Sequence, residues 1–326
     1  MRNINRGFCI AIVLLILSCL AYAGNYAGDF MSIGVGARAL AMGGAFCAVA
    51  DDASAIYWNP AGMTSIKGAE VSSIKLIDQA GIDSNYTYVS LAYNSGENTG
   101  TFGLSFLTQA FNNIVLTDSQ GKQVGGTTSL NDNIAYAAYA KRINAWLSAG
   151  VTAKVLFGSY PTGSGSLGYN GFGEDAAAMI DLGAVSAALK GLKAALSAEN
   201  LYTFMNWGSA GEFLGGRETV EPNLKSGISY TPFSEMLKEM KSALTIAADY
   251  DTAYSGGYHL GGEYIWSGII ALRAGVQGYV NSPAQPAQDA GWSLGAGIMW
   301  SFIQVDYAYV KSDMSPLQYI SISGIF

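Results

Sequence analysis

The chain has 326 residues and only one histidine, His259. Charged residues make up 13% of it, against roughly 25% in ordinary soluble domains. Its three cysteines are Cys9, Cys19 and Cys47. Cys9 and Cys19 lie in the N-terminal leader region, so His259 has only Cys47 beside it in the mature chain and a zinc site finds no support. Basic residues form no stripe and the net charge is −7, so nucleic-acid binding finds no support. Beyond the N-terminus no run of about 18 apolar residues occurs, which argues against a transmembrane helix. Yet half of all residues are hydrophobic.

Arg2 and Arg6 precede an apolar run from Phe8 to Leu20, followed by the small-residue site Ala21-Tyr22-Ala23. This reads as a secretory signal peptide over residues 1–23 for Sec export, with 24–326 as one mature domain. Ile16-Leu17-Ser18-Cys19 also fits a lipobox, which leaves lipidation at Cys19 as an alternative. Cleavage after Ala23 removes Cys9 and Cys19, leaves Cys47 unable to form an internal disulfide, and takes the charge from −7 to −9. An exported chain this apolar, without a spanning helix, points to the outer membrane of a Gram-negative-type bacterium and a β-barrel. A large periplasmic β-protein is the alternative.

Segments of alternating apolar and polar residues, about ten long, recur between turn residues. They fall near 70–78, 84–94, 99–111, 128–142, 145–158, 173–189, 192–202, 222–232, 242–251, 257–266, 268–280, 291–301, 302–311 and 317–326. Fourteen is an even number, as a closed antiparallel bacterial barrel requires. The alternation predicts Val151, Ala153, Val155 and Phe157 on one face and Thr152, Lys154 and Leu156 on the other. Carried along the chain, it places Lys154, Asp181, Glu199, Lys225, Asp249, Glu263, Arg273 and Asp306 in the lumen. They serve there either as ion pairs that fill the interior or as part of a ligand path. With the N-terminus in the periplasm, the long connections 112–127, 159–172, 203–221 and 281–290 face outward. Asn144, Lys190-Gly191 and Ser267 become short inner turns, and 232–241 an inner helical cap or a partner-docking site. Trp146, Tyr230, Trp266, Trp300 and Phe326 fall at the inner strand ends, as an interfacial girdle would. The terminal aromatic Phe326 resembles the signal read by barrel-assembly machinery.

Ahead of these strands, residues 34–63 follow neither helical nor strand periodicity and are rich in Gly and Ala. A segment of this kind, spanning 24–66, fits a luminal plug. Gly36-Ala37-Arg38-Ala39-Leu40-Ala41-Met42-Gly43-Gly44-Ala45, Asp51-Asp52-Ala53-Ser54 and Trp58-Asn59-Pro60-Ala61-Gly62 resemble the N-terminus of PorV/PorQ-family proteins, within the FadL-like outer-membrane superfamily. Asp181-Leu182-Gly183-Ala184, Glu199-Asn200-Leu201, Gly262-Glu263-Tyr264, Leu272-Arg273-Ala274-Gly275 and Asp306-Tyr307-Ala308-Tyr309 extend the resemblance. It implies a fourteen-stranded barrel with an N-terminal hatch. It further implies either passage of long-chain fatty acids or other hydrophobic compounds, or service to a type IX-like secretion system without small-molecule flux. Asp51 or Asp52 is expected to cap a turn at 53–57. Asn59-Pro60 is expected to start a turn, with Gly62 in a left-handed conformation. Buried Arg38 needs a carboxylate, for which Asp181, Glu199 and Asp306 are candidates.

The apolar side chains of 203–221, namely Phe204, Met205, Trp207, Phe213 and Leu214, form the candidate capture surface for a hydrophobic ligand. A structural or adhesive surface barrel is a further alternative. No cofactor, metal site or catalytic residue is expected. Gly163-Ser164-Gly165-Ser166-Leu167-Gly168 has no helix to follow it, and Gly291-Trp292-Ser293-Leu294-Gly295 continues as a strand, so neither supplies its enzymatic lookalike.

Overall fold

A computed structural model describes residues 28–78, 84–162, 165–209, 215–233, 237, 239–252, 256–279, 291–311 and 316–326. The signal peptide, the Cys19 alternative, Phe213, Leu214, the whole 281–290 connection and residues 234–236 and 238 of the expected inner cap lie outside the described residues.

Sixteen strands follow the plug. They are β1 (Ala69–Asp78), β2 (Ser84–Asn94), β3 (Thr101–Thr117), β4 (Gln123–Arg142), β5 (Leu147–Thr162), β6 (Gly165–Asp181), β7 (Leu192–Glu199), β8 (Thr203–Trp207), β9 (Arg217–Val220), β10 (Asn223–Tyr230), β11 (Ala243–Asp251), β12 (Gly257–Trp266), β13 (Ile270–Tyr279), β14 (Gly291–Trp300), β15 (Ile303–Val310) and β16 (Leu317–Ile325). Each pairs antiparallel with its neighbours, and β16 returns to β1, with Glu70 opposite Ile325. β7 pairs directly with β10. The hairpin β8–β9 stands outside that ring and hangs on the upper part of β6, with Phe172 opposite Phe204. Fourteen strands therefore close a transmembrane barrel. Closure leaves no strand edge in hydrocarbon, where an unpaired backbone group costs several kcal/mol.

Side-chain alternation sorts the two faces. Val151 and Val155 are 53% and 52% exposed, whereas Lys154 and Leu156 between and beside them are buried. Leu104, Leu272, Leu294 and Ile298 join the exposed apolar band. Trp146, Tyr230, Trp266, Trp300 and Phe326 are exposed at the short-turn end. Phe157, Phe172 and Trp292 are exposed toward the other end.

Three expectations about the connections are corrected. Residues 112–117, 123–127, 159–162 and 165–172 are strand rather than loop. The β3–β4 ladder continues through a bulge after Phe111 as far as Thr117 opposite Gln123, and β5–β6 continues to Thr162 opposite Gly165. Val, Thr and Tyr favour the extended backbone, but in 112–127 both faces are wet, so the apolar alternation that marks a strand disappears. The stretch 203–221 is likewise a hairpin. Finally, the sixth strand ends at Asp181, not near 189. Asp181 Oδ1 accepts from Ala184 N at 3.2 Å and caps the turn Leu182–Val185. A 3-10 turn, Ala187–Leu189, completes an inner connection longer than Lys190-Gly191.

The plug contains a 3-10 turn at Asp29–Ser32, α1 (Ala37–Ala41), α2 (Ala55–Trp58) and a 3-10 turn at Pro60–Ser65. Its side chains Val35, Met42, Phe46, Ile56 and Met63 are fully buried. The molecule's core is thus the contact between plug and barrel wall, not the space between two layers. Among the described residues no helix is long and apolar enough to cross a membrane.

Candidate functional site: the plugged lumen

The plug is fastened by charge along one side of the lumen. Arg38 projects from α1, a helix opened by Gly36 at φ 83°. Its Nε and Nη2 donate to the two oxygens of Glu263 on β12, both at 2.8 Å. Its Nη1 donates to Asp51 at 2.6 Å and Asp52 at 3.1 Å. Burial opposes the charge on Arg38, but Asp51 and Glu263 outweigh it and hold the guanidinium pKa above its ordinary value. Glu263 also accepts from Arg273 Nε at 2.6 Å, and Arg273 Nη1 donates to Asp306 at 2.7 Å. Buried charges are tolerable when each is paired and hydrogen-bonded.

A second fastening lies on β11. Asp249 Oδ2 accepts from the amides of Phe46 and Cys47, both at 2.7 Å. Beside it, His259 on β12 bridges Gly43 O at 2.7 Å and Asp251 Oδ2 at 2.9 Å. His259 thus ties a plug carbonyl to a carboxylate of the neighbouring strand. Ser293 Oγ donates to Ala41 O at 2.9 Å, and Ser229 Oγ to Ala48 O at 2.9 Å. Lys225 pairs with Glu199 at 3.2 Å and stands 4.9 Å from the Trp58 ring centroid. Lys154 pairs with Asp175 at 2.7 Å.

Within the plug, Trp58 Nε1 donates to Val35 O at 2.8 Å. Asn59 Nδ2 donates to Cys47 O at 2.8 Å, while its Oδ1 accepts from Ala61 N. Pro60 follows at the first turn of the 3-10 segment, where its missing N–H costs nothing. Asp52 accepts from Ser54 N at 2.9 Å, one residue ahead of α2. Cys47 is fully buried, and burial, with Asp249 adding to it, pushes its thiol pKa well up. Wall glycines admit the plug backbone: a Cβ on Gly275 would lie 2.2 Å from Gly43 N.

The lumen charges are largely where alternation put them, with one exception. Lys154, Lys225, Asp249, Glu263, Arg273 and Asp306 are buried inside, and Glu199 is half-buried there. Asp181 is exposed, because it caps the turn that ends β6. The partners expected for Arg38 are also corrected. Glu199 serves Lys225 and Asp306 serves Arg273, while Arg38 takes Glu263 and the plug's own Asp51 and Asp52. Gly62 is not left-handed. It sits in the 3-10 turn, where a Cβ would come within 1.9 Å of Ala50 O, so the position requires close approach rather than positive φ. Asp175 and Asp251 were not singled out from sequence, although each lies on the luminal face of a strand already marked.

The opposite wall is mainly apolar and aromatic, with Glu70, Asp132 and Lys154 as its buried charges. Ile74, Leu76, Tyr86, Tyr88, Leu107, Ile134, Tyr136, Leu156 and Tyr319 line it from β16 round to β5, all buried. They pack against Phe30, Met31, Ile56 and Met63 of the plug.

The apolar stretch 203–221 divides between two faces of its hairpin. Met205 is buried inward, and Trp207 stacks on Tyr160 and Tyr169 with centroids 5.2 and 4.8 Å away. Tyr169 and Tyr160 donate to buried Asp132 at 2.7 and 3.2 Å. Phe204 turns outward under Arg217.

No protein-family model matches the chain, and no curated protein matches it. Solved structures do. A monoaromatic hydrocarbon channel, CymD, is 16% identical with a TM-score of 0.61, over 90% of this chain and 98% of that one. The toluene transporter TbuX of Ralstonia pickettii is 14% identical with a TM-score of 0.60, over 90% and 98%. The toluene transporter TodX of Pseudomonas putida is 14% identical with a TM-score of 0.57, over 90% and 96%. The fold is that of the FadL-like barrels: fourteen strands around an N-terminal plug.

Proposed function

We propose that this barrel lies in an outer membrane and passes hydrophobic small molecules past its plug. One observation carries the proposal: the lumen has two unlike walls. On β11 and β12, the Arg38–Glu263 pair and the bonds from the Phe46 and Cys47 amides to Asp249 fix the plug. From β16 round to β5, the contact is mostly apolar side chains and tyrosine rings, with few hydrogen bonds such as Tyr86 Oη to Gly34 O and Thr152 Oγ1 to Ile56 O. Apolar contact is non-directional, so it can be exchanged for contact with an apolar solute. Hydrogen-bonded pairs cannot. The apolar wall is therefore the route, and the charged wall the hinge side. The likeness in fold to a monoaromatic hydrocarbon channel and to toluene transporters supports small apolar compounds as cargo, and long-chain fatty acids are the second candidate. Phe204, Met205 and Trp207, with Phe213 and Leu214, act as the capture surface. Phe326 is the segment end engaged by assembly machinery.

The test is binding of toluene and of a long-chain fatty acid to purified protein, followed by tryptophan fluorescence. Leu107→Asp and Ile134→Asp should abolish uptake into liposomes, whereas Val151→Thr on the outer face should not. A parent protein that binds neither ligand overturns the proposal. The resemblance of residues 36–62 to PorV/PorQ proteins favours a second reading, a secretion component. It would be supported by stable co-purification with secretion proteins and by no ligand uptake.

A further inference from the structure

The outward face of the β8–β9 hairpin has an arrangement that passage through the lumen does not use. Arg217 lies with its guanidinium carbon 3.7 Å from the Phe204 centroid and 5.7 Å from that of Tyr202. Its one side-chain hydrogen bond among the described residues runs to Tyr202 Oη at 3.0 Å, and no carboxylate pairs with it. Glu218 next door turns inward and accepts from Trp207 Nε1 at 2.8 Å. Arg217 is thus an exposed cation, laid on aromatic rings, with most of its five donors uncommitted.

Its height in the membrane can be worked out. Phe204 faces Phe172 across the ladder, and Arg217 faces Asn206, which faces Asn170. Outward side chains therefore change from aromatic (Phe172, Phe204) to polar (Asn170, Asn206, Arg217) within one step of the alternation. Phe172 lies nine residues from Asp181, whose amide binds Trp146 O in the short-turn girdle. At about 3.4 Å per residue and a tilt of about 40°, that is roughly 23 Å, against an apolar band of about 25 Å. Arg217 stands at the far boundary of the hydrocarbon, on a face continuous with the lipid-facing band. Glu174 is exposed on the same face, two residues nearer the short-turn end than Phe172.

We propose that this face seats a phosphate of an outer-leaflet glycolipid, with Arg217 as the cation and Tyr202, Phe204 and Phe172 against the lipid's apolar part. The inference rests on the barrel lying in an outer membrane. A guanidinium fork suits a phosphate better than a point charge does, and the rings under it fix the fork's plane. A cation serving only to staple the hairpin would need no exposure of its outer edge.

The experiment titrates detergent-solubilised full-length protein with bisphosphorylated lipid A and with its dephosphorylated form, counting bound lipid by native mass spectrometry. Arg217→Gln should weaken lipid A binding about tenfold, and Arg217→Lys about threefold. The dephosphorylated lipid should bind parent and Arg217→Gln equally. Heat-modifiable gel migration confirms that each variant is folded. Equal binding of lipid A by parent and Arg217→Gln overturns the inference. Membrane fractionation separates the two failures. Protein in the outer-membrane fraction that shows no Arg217 dependence sinks only this inference. Protein absent from that fraction sinks the location as well.

Discussion

Removing Arg38 should loosen the plug by an amount that a single thiol reports. In Arg38→Ala, Glu263 keeps Arg273 but loses the bidentate pair, and Asp52 loses a partner at 3.1 Å. Asp51 is more than a third exposed, so water replaces its bond at little cost. Breaking a buried pair from one side costs about 3–5 kcal/mol. With Arg273 still in place, the low end applies. About 3 kcal/mol of lost docking energy raises the undocked population roughly a hundredfold, since 1.4 kcal/mol is a factor of ten. Cys47 is fully buried between the plug and β10, where a Cβ on Gly227 would touch it at 2.9 Å. Maleimide can reach it only when the plug leaves the wall, so the labelling rate follows the open population. The expected result is labelling about a hundredfold faster in Arg38→Ala, in protein that still migrates as a folded barrel. A rate within threefold of the parent would show that the Arg38 network does not hold the plug.

Other predictions use the same reporter or simpler ones. Because burial raises the Cys47 thiol, native labelling should keep increasing with pH beyond the point where the urea-unfolded chain levels off; a shared inflection would contradict the buried site. Asp249→Ala removes the acceptor of two plug amides, and should accelerate labelling at least tenfold. Gly62→Ala drives a Cβ into Ala50 O and should cost about 1–3 kcal/mol, read as faster proteolysis of the plug; unchanged proteolysis would refute the close contact. Phe204→Ser with Trp207→Ser should weaken ligand capture several-fold at unchanged barrel fold, measured by toluene titration.

The barrel was legible because its physics repeats. Every strand crossing hydrocarbon must alternate, so Val151 to Phe157 announce their faces without help from neighbours. The same rule carried Lys154, Asp249 and Arg273 to the lumen. It failed at Asp181, where local capping chemistry ended the strand before the pattern did. It failed again at 112–127, where both faces are wet and the pattern has nothing to sort. The plug's bonds were out of reach for another reason. Arg38 and Glu263 are 225 residues apart, and only the barrel's register brings them together. Composition showed that Arg38 needed a carboxylate, not which one. The apolar wall likewise emerges only when Tyr86, Tyr136 and Tyr319, from three separate strands, stand side by side.

The seam between β1 and β16 closes beside the point where the plug joins the wall. Ala69 and Phe326 exchange both backbone bonds, N to O at 3.0 and 2.8 Å. Ala69 begins four residues after the last turn of the plug, and a Cβ on Gly68 would lie 2.2 Å from Phe326 O. The chain that enters the lumen and the chain that closes it therefore share one doorway. Once the final residue is zipped, the plug's only covalent tether passes under that bond pair. Removing Phe326 would therefore unpair Ala69 where the plug joins the wall, beside an otherwise complete barrel.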